Sequence, residues 1–174
     1  MKRLTLALCS GLFVMLSACN GTEVTQLNPI VEEQIDASAY KYKMIEIQGI
    51  GEKYSALLLN AGIKYTDDYL KFAGTRKDRE ALAKKTGISA KLLLEWANHV
   101  DLMRIKGVGP KQSNLLEEAG VDSIKELSHR LADNLYPALD KANKAKNLVN
   151  QMPSKNQVKD WVEQAKVIKA VVEE

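Results

Sequence analysis

Cysteine is nearly absent from this chain of 174 residues: Cys9 and Cys19 are its only two, so no disulfide can form beyond the N-terminal segment. No stretch alternates apolar and polar residues with a period of two for long enough to argue for a sheet, and the fold class expected is all-α. Catalytic groupings are missing as well. His99 and His129 stand 30 positions apart with no second ligand at metal spacing, so each is expected to be a partly exposed helix residue. No Gly-x-Ser-x-Gly occurs, and no phosphate loop runs into Lys-Ser or Lys-Thr. These absences exclude the common hydrolase and nucleotidase classes, and the chain is expected to be no enzyme, with no cofactor, no metal site and no small-molecule substrate. With only four prolines and ten glycines, the composition suits an ordinary globular chain.

What is present begins at the N-terminus. Residues 1–18 carry Lys2 and Arg3, an apolar core over 4–16 and small residues before a cut, the three parts of a secretory signal. That core is shorter than the ~20 apolar residues a membrane helix needs. Polar Asn20, Gly21 and Thr22 come at once after it, so cleavage is expected. Leu16-Ser17-Ala18-Cys19 resembles the bacterial lipoprotein signal at every position. The resemblance implies that the Cys19 thiol receives a diacylglyceryl group, that the chain is cut before it, and that the new amine is acylated. Each buried methylene adds about 0.8 kcal/mol, so three acyl chains such as palmitate make an effectively permanent membrane anchor. Asn20, where an Asp favours retention at the inner membrane, implies the outer membrane facing the periplasm in a Gram-negative host.

Removing the signal leaves 23 basic against 22 acidic residues, a net charge of +1, so the mature chain is close to neutral. Residues 19–39 comprise the lipidated Cys and a polar tether rich in Thr, Gln, Asn and Glu, with a short helix expected over 29–37 behind Asn28. As flexible coil the tether reaches roughly 25 Å. The span from residue 40 onward is long enough for one modest core.

Sliding the sequence against itself by 58 positions places Ile47-Gln48-Gly49-Ile50-Gly51-Glu52-Lys53 on Ile105-Lys106-Gly107-Val108-Gly109-Pro110-Lys111. The match continues, with Ser55, Leu57, Leu58, Ala61, Gly62 and Ile63 on Ser113, Leu115, Leu116, Ala119, Gly120 and Val121, and Tyr69 on Leu127. Trp96 meets Trp161 if the second copy holds seven extra residues near Pro153. Two copies, 40–100 and 101–169, with a tail over 170–174, imply a pseudo-twofold helical domain with a shared core in which both tryptophans are anchors.

Capping residues divide the copies into helices. Thr66 is expected to cap 67–73 and Thr75 to cap 76–85, with Gly87 closing it. Ser89 opens a helix through Arg104 whose Leu92, Leu93, Trp96, Val100 and Met103 form one apolar face. Ser123 caps a short helix, 131–149 is helical with a bend at Pro137, and Ser154 caps a helix ending near Val172.

An aliphatic residue, a polar one, Gly, an aliphatic, Gly, then a helix with Leu, Leu, Ala, Gly is the pattern of the helix-hairpin-helix motif, and both copies resemble it. The span 40–169 resembles a bacterial helix-hairpin-helix family known as domain of unknown function 4332. In such a hairpin the glycines permit angles closed to other residues, the aliphatic between them enters the core, and the next helix begins with unpaired N–H groups. Those amides and the helix dipole suit a phosphate. In DNA-binding relatives a Lys two positions past the second Gly supports it, which implies a backbone-reading site at Gly49, Ile50, Gly51, Lys53, Gly107, Val108, Gly109 and Lys111.

Two features oppose that site. Glu52 comes directly after the first hairpin, and residues 101–130 balance five basic against five acidic residues, so no positive field draws in a polyanion. The basic window 71–91, with seven basic residues against Asp78 and Glu80, reads as a solvated helix face. The expectation is therefore a lipid-anchored binding or scaffold module of the bacterial envelope with an unidentified protein partner. The alternative is sequence-independent binding to the DNA backbone, as in the membrane-anchored DNA-uptake receptors that this topology resembles in outline.

Overall fold

Four hydroxyl side chains begin helices where the sequence places them in the computed structural model, which describes residues 41–173. Thr75, Ser89, Ser123 and Ser154 accept the backbone N–H three residues on, from Asp78, Leu92, Glu126 and Gln157, at 3.1, 3.3, 3.3 and 3.2 Å. Each bond satisfies one amide that the first helical turn leaves unpaired. Gln157 also returns its Oε1 to the Ser154 N–H at 2.8 Å, completing a reciprocal cap.

The described residues are all-α: α1 Glu52–Asn60, α2 Thr66–Ala73, α3 Arg76–Thr86, α4 Ala90–Leu102, α5 Pro110–Glu118, α6 Ile124–Ser128, α7 Ala132–Lys146 and α8 Lys155–Val167. A 3₁₀ turn, Met44–Glu46, precedes α1. Among these residues no strand occurs, only an isolated bridge between Lys43 and Tyr65. The helix α4 packs on α2, α3, α5 and α6, while α8 packs on α6 and α7. One apolar cluster runs through both sequence copies, from Met44, Ile63 and Tyr69 to Leu116, Leu139 and Val162. Trp96 and Trp161 lie within it, 1% and 2% exposed. No described helix is long and apolar enough to cross a membrane. The signal segment, Cys19, the tether and the helix expected over 29–37 lie outside the described residues.

Four expected boundaries move. Thr66 is the first residue of α2 and not its N-cap, which is Tyr65, and its buried Oγ1 accepts the Tyr42 N–H at 3.1 Å. The helix α4 stops at Leu102, where the chain turns into the second hairpin. The helix α7 continues through Pro137 and ends at Lys146. There Asn147 takes the left-handed region, with φ 50°, which Asn tolerates better than most residues. Asn143 fixes the exit by accepting the Val149 N–H at 2.9 Å and donating to the Val149 carbonyl at 3.1 Å. The helix α8 ends at Val167 and not near Val172, because the backbone beyond it is bound by Arg104 and Gly74.

Candidate functional site

The offset of 58 that relates the two hairpin sequences also relates their hydrogen bonds. The Ile50 N–H donates to the Ile47 carbonyl and the Val108 N–H to the Ile105 carbonyl, each at 3.0 Å. Ser55 and Ser113 donate to Gly51 and Gly109, and Ile63 and Val121 donate back to Leu58 and Leu116, at 2.9 to 3.0 Å. Gly49 and Gly107 hold φ of 81° and 89°, a region L side chains rarely enter, while Ile50 and Val108 between the glycines are buried. The elements leading into the hairpins differ. The second is preceded by α4, whereas the first has only the 3₁₀ turn among the described residues.

Each hairpin is backed by its tryptophan. A Cβ built on Gly49 would stand 3.3 Å from Trp96 Nε1, and one on Gly107 would stand 3.1 Å from Trp161 Nε1. Tyr54 adds an edge-to-face contact on Trp96, with ring centroids 5.2 Å apart. The residue three beyond each tryptophan differs in role. Gln164 clamps the second hairpin, accepting the Lys106 N–H at 2.8 Å and donating to the Lys106 carbonyl at 3.4 Å. His99, its counterpart, faces α5 instead.

The helix N-termini just past the glycines are unequal. At Gly51 a Cβ would meet nothing within 4 Å, so among the described residues the first hairpin is open at this point. At Gly109 it would meet the Tyr42 hydroxyl at 3.1 Å and Gln112 Oε1 at 3.2 Å. Gln112 Oε1 also accepts the Gly109 N–H at 3.3 Å, taking an amide that a phosphate would use. Pro110 makes the second hairpin the better anion site by sequence, yet a tyrosine from ahead of the first hairpin and a glutamine from α5 cover it. Lys53 and Lys111 are both exposed, and neither forms an ion pair among the described residues. The basic window is largely used within the fold. Arg79 is buried, Lys71 pairs with Asp68 and Arg76 with Glu80, and Lys85 donates to the Ala61 carbonyl at 3.0 Å.

Two histidines expected to be alike are not. His129 is exposed at the end of α6. His99 is buried at 5% exposure, its Nε2 3.0 Å from Glu117 Oε2 and its Nδ1 3.4 Å from Ser113 Oγ. Ser113 donates its own proton to the Pro110 carbonyl at 3.0 Å, so both ring nitrogens of His99 face acceptors. The hydrogen bond from His99 holds the Glu117 carboxyl below its ordinary range; burial opposes this, and the charges of His99 and Lys146 add to it. Beside the pair lies a cleft of about 50 Å³ lined by Glu95, Asn98, Leu102 and Asp122, with room for a few waters. Among the described residues, no three His, Cys, Asp or Glu are grouped to hold a metal ion.

Sequence reasoning missed a second polar cluster, formed by Arg79, Asp101 and Arg104 around the C-terminal tail. Arg79 donates to the carbonyls of Ala73 at 3.0 Å, Gly74 at 2.8 Å and Glu173. Asp101, 1% exposed, pairs with Arg104 at 2.6 Å and accepts the Val171 N–H. Burial pushes the Asp101 carboxyl above its ordinary range, against the pull of Arg104 and of the Val171 amide. Nothing in the local sequence marks these residues, since Arg79 lies in a run of charges that reads as solvated.

Fold and hairpins together define an all-helical domain organised around two glycine turns, each seated on a tryptophan. A family model described as a domain of unknown function (DUF4332) matches residues 48–168, and the chain belongs to that family. No curated protein and no solved structure matches it.

Proposed function

We propose that this chain is a lipid-anchored, non-enzymatic scaffold module of the bacterial envelope, held through Cys19 and acting by binding another protein. The anchor rests on Leu16-Ser17-Ala18-Cys19 behind an apolar segment and a basic start. The choice of a protein partner over DNA is carried by one observation: Gln112 and the Tyr42 hydroxyl occupy the amide end of the second hairpin. A backbone-reading site needs free amides and a net positive surface. Here one is covered, and the open one carries Glu52 beside its amides.

Two experiments test the reading. Full-length protein in detergent micelles, titrated with duplex DNA at low salt, shows no saturable binding. Binding that collapses as salt rises and is lost in Lys53→Glu overturns the protein-partner reading in favour of the DNA backbone through the open hairpin. Metabolic labelling with a fatty-acid analogue marks the wild type and not Cys19→Ala; label that persists on Cys19→Ala overturns the anchor. Crosslinking in intact envelopes yields a discrete protein adduct.

A further inference from the structure

The chain beyond α8 makes a run of main-chain hydrogen bonds. The Lys169 carbonyl accepts from Arg104 Nη1 at 3.0 Å and the Val171 N–H donates to the Asp101 carboxylate. The Glu173 N–H donates to the Gly74 carbonyl at 2.9 Å, and the Glu173 carbonyl accepts from Arg79. The bonds fall on alternate residues, 169, 171 and 173, as they do along one edge of an extended strand. Lys169 and Val171 are exposed, Val171 to 41%, so the contact reads little of those two side chains, whereas the Glu173 carboxylate accepts the Arg76 N–H at 3.3 Å and Ile168 and Val172 pack against the core. Gly74 lets the strand approach, since a Cβ there would stand 3.1 Å from the Val171 carbonyl.

The receiving side is the opposite in character. Arg79 and Asp101 are 3% and 1% exposed, a buried guanidinium and a buried carboxylate whose hydrogen bonds the tail completes. An empty groove leaves both partly unsatisfied, which is costly for buried charges. The groove therefore calls for an occupant and selects it chiefly as extended backbone, with a carboxylate in the place of Glu173.

We infer that the groove between the α2–α3 turn and the end of α4 is a binding site for an extended peptide segment of a partner protein, occupied in this structure by the chain's own residues 169–173. The partner strand displaces the tail and takes over its bonds to Gly74, Arg79, Asp101 and Arg104, as strand addition does at a sheet edge. The tail then acts as a built-in competitor that keeps the buried charges paired until the partner arrives. The inference deepens the reading of the chain as a protein-binding module and rests on it.

The test uses the full-length chain and a fluorescent peptide with the sequence of residues 168–174. Val171→Pro removes the N–H that reaches Asp101 and leaves the groove residues unchanged. This variant binds the peptide at least tenfold more tightly than the wild type, and Asp101→Asn added to it abolishes the gain. A peptide with its side chains at 169 and 171 exchanged for Ala still binds, whereas one N-methylated at the Val171 position does not. Equal affinity of wild type and Val171→Pro, with helical circular dichroism intact, overturns the inference. Hydrogen exchange on the wild type supplies an independent measure: the Val171 and Glu173 amides exchange by local opening, ahead of the α4 amides. Exchange of all of them together, at the rate of global unfolding, also overturns it. An envelope crosslink that survives Asp101→Asn sinks the groove and leaves the scaffold reading standing; loss of every crosslink in the wild type sinks the scaffold reading itself.

Discussion

The indole nitrogen of Trp161 lies 3.1 Å from the point where a Cβ on Gly107 would stand, so the second hairpin closes directly onto a buried ring. Gly107 is constrained twice, by φ of 89° and by that ring. Gly51 is constrained by neither, with φ of −79° and open space around it. Gly107→Ala is expected to cost about 1–3 kcal/mol, the range for a side chain held at a disfavoured backbone angle. Gly51→Ala stays within about 0.5 kcal/mol of the wild type. Urea denaturation of the two variants separates them, and equal losses contradict this account of the hairpins.

Trp96 and Trp161 support the two hairpins from α4 and α8, each almost fully buried. Replacing either by Ala removes a large ring from the core and is expected to cost about 3–5 kcal/mol. The thermal midpoint falls by a similar amount in both. A variant that loses less than about 1 kcal/mol places its ring outside the core.

Acid stability depends on Glu117. Its folded-state pKa is lowered chiefly by the hydrogen bond from His99, so its contribution is present in full above the ordinary value of 4.5 and is lost as pH falls through the lowered folded value. Asp101 has the opposite sign. Its pKa is raised above 3.8 by burial, so its contribution is present below that value and declines as pH rises through the raised one. Glu117→Gln is therefore less stable than the wild type above pH 4.5, and the gap narrows at lower pH. Chemical denaturation as a function of pH checks this; a gap that widens on acidification contradicts it.

Gly74 sits under the tail, and a Cβ there would meet the Leu70 carbonyl at 2.7 Å and the Val171 carbonyl at 3.1 Å. Gly74→Ala is expected to push the tail outward, expose Arg79 and destabilise the domain by about 1–3 kcal/mol. Proteolysis after Lys169 reads the change directly. Cleavage in the variant at least tenfold faster than in the wild type is the expected result, and an unchanged rate contradicts it.

The parts of the fold legible in the sequence are those decided within a turn or two of chain. Thr75, Ser89, Ser123 and Ser154 act as caps because the N–H groups they satisfy lie three residues on. Ile50 and Val108 are buried as expected, because paired glycines turn the chain tightly enough to point the residue between them inward. Thr66 shows where such reasoning fails. It looks like a cap, but the Tyr42 N–H, 24 positions earlier, takes its oxygen.

The candidate site divides the same way. Its glycines and lysines stand where the repeat puts them, while the groups that decide its use come from elsewhere. Tyr42 reaches Gly109 across 67 positions, and no local pattern announces that a tyrosine hydroxyl will cover the second hairpin.

By itself the sequence determined the all-helical class, the two glycine turns and the family, because backbone angles, caps and helical periodicity are local properties that survive without knowledge of what packs where. Only the tertiary structure decided which polar groups are buried. His99 became a buried partner of Ser113 and Glu117, and Arg79 and Asp101 became the floor of a groove for residues 169–173. A polar side chain can leave water only where distant parts of the chain supply its hydrogen bonds, and Arg79 meets Glu173 across 94 positions.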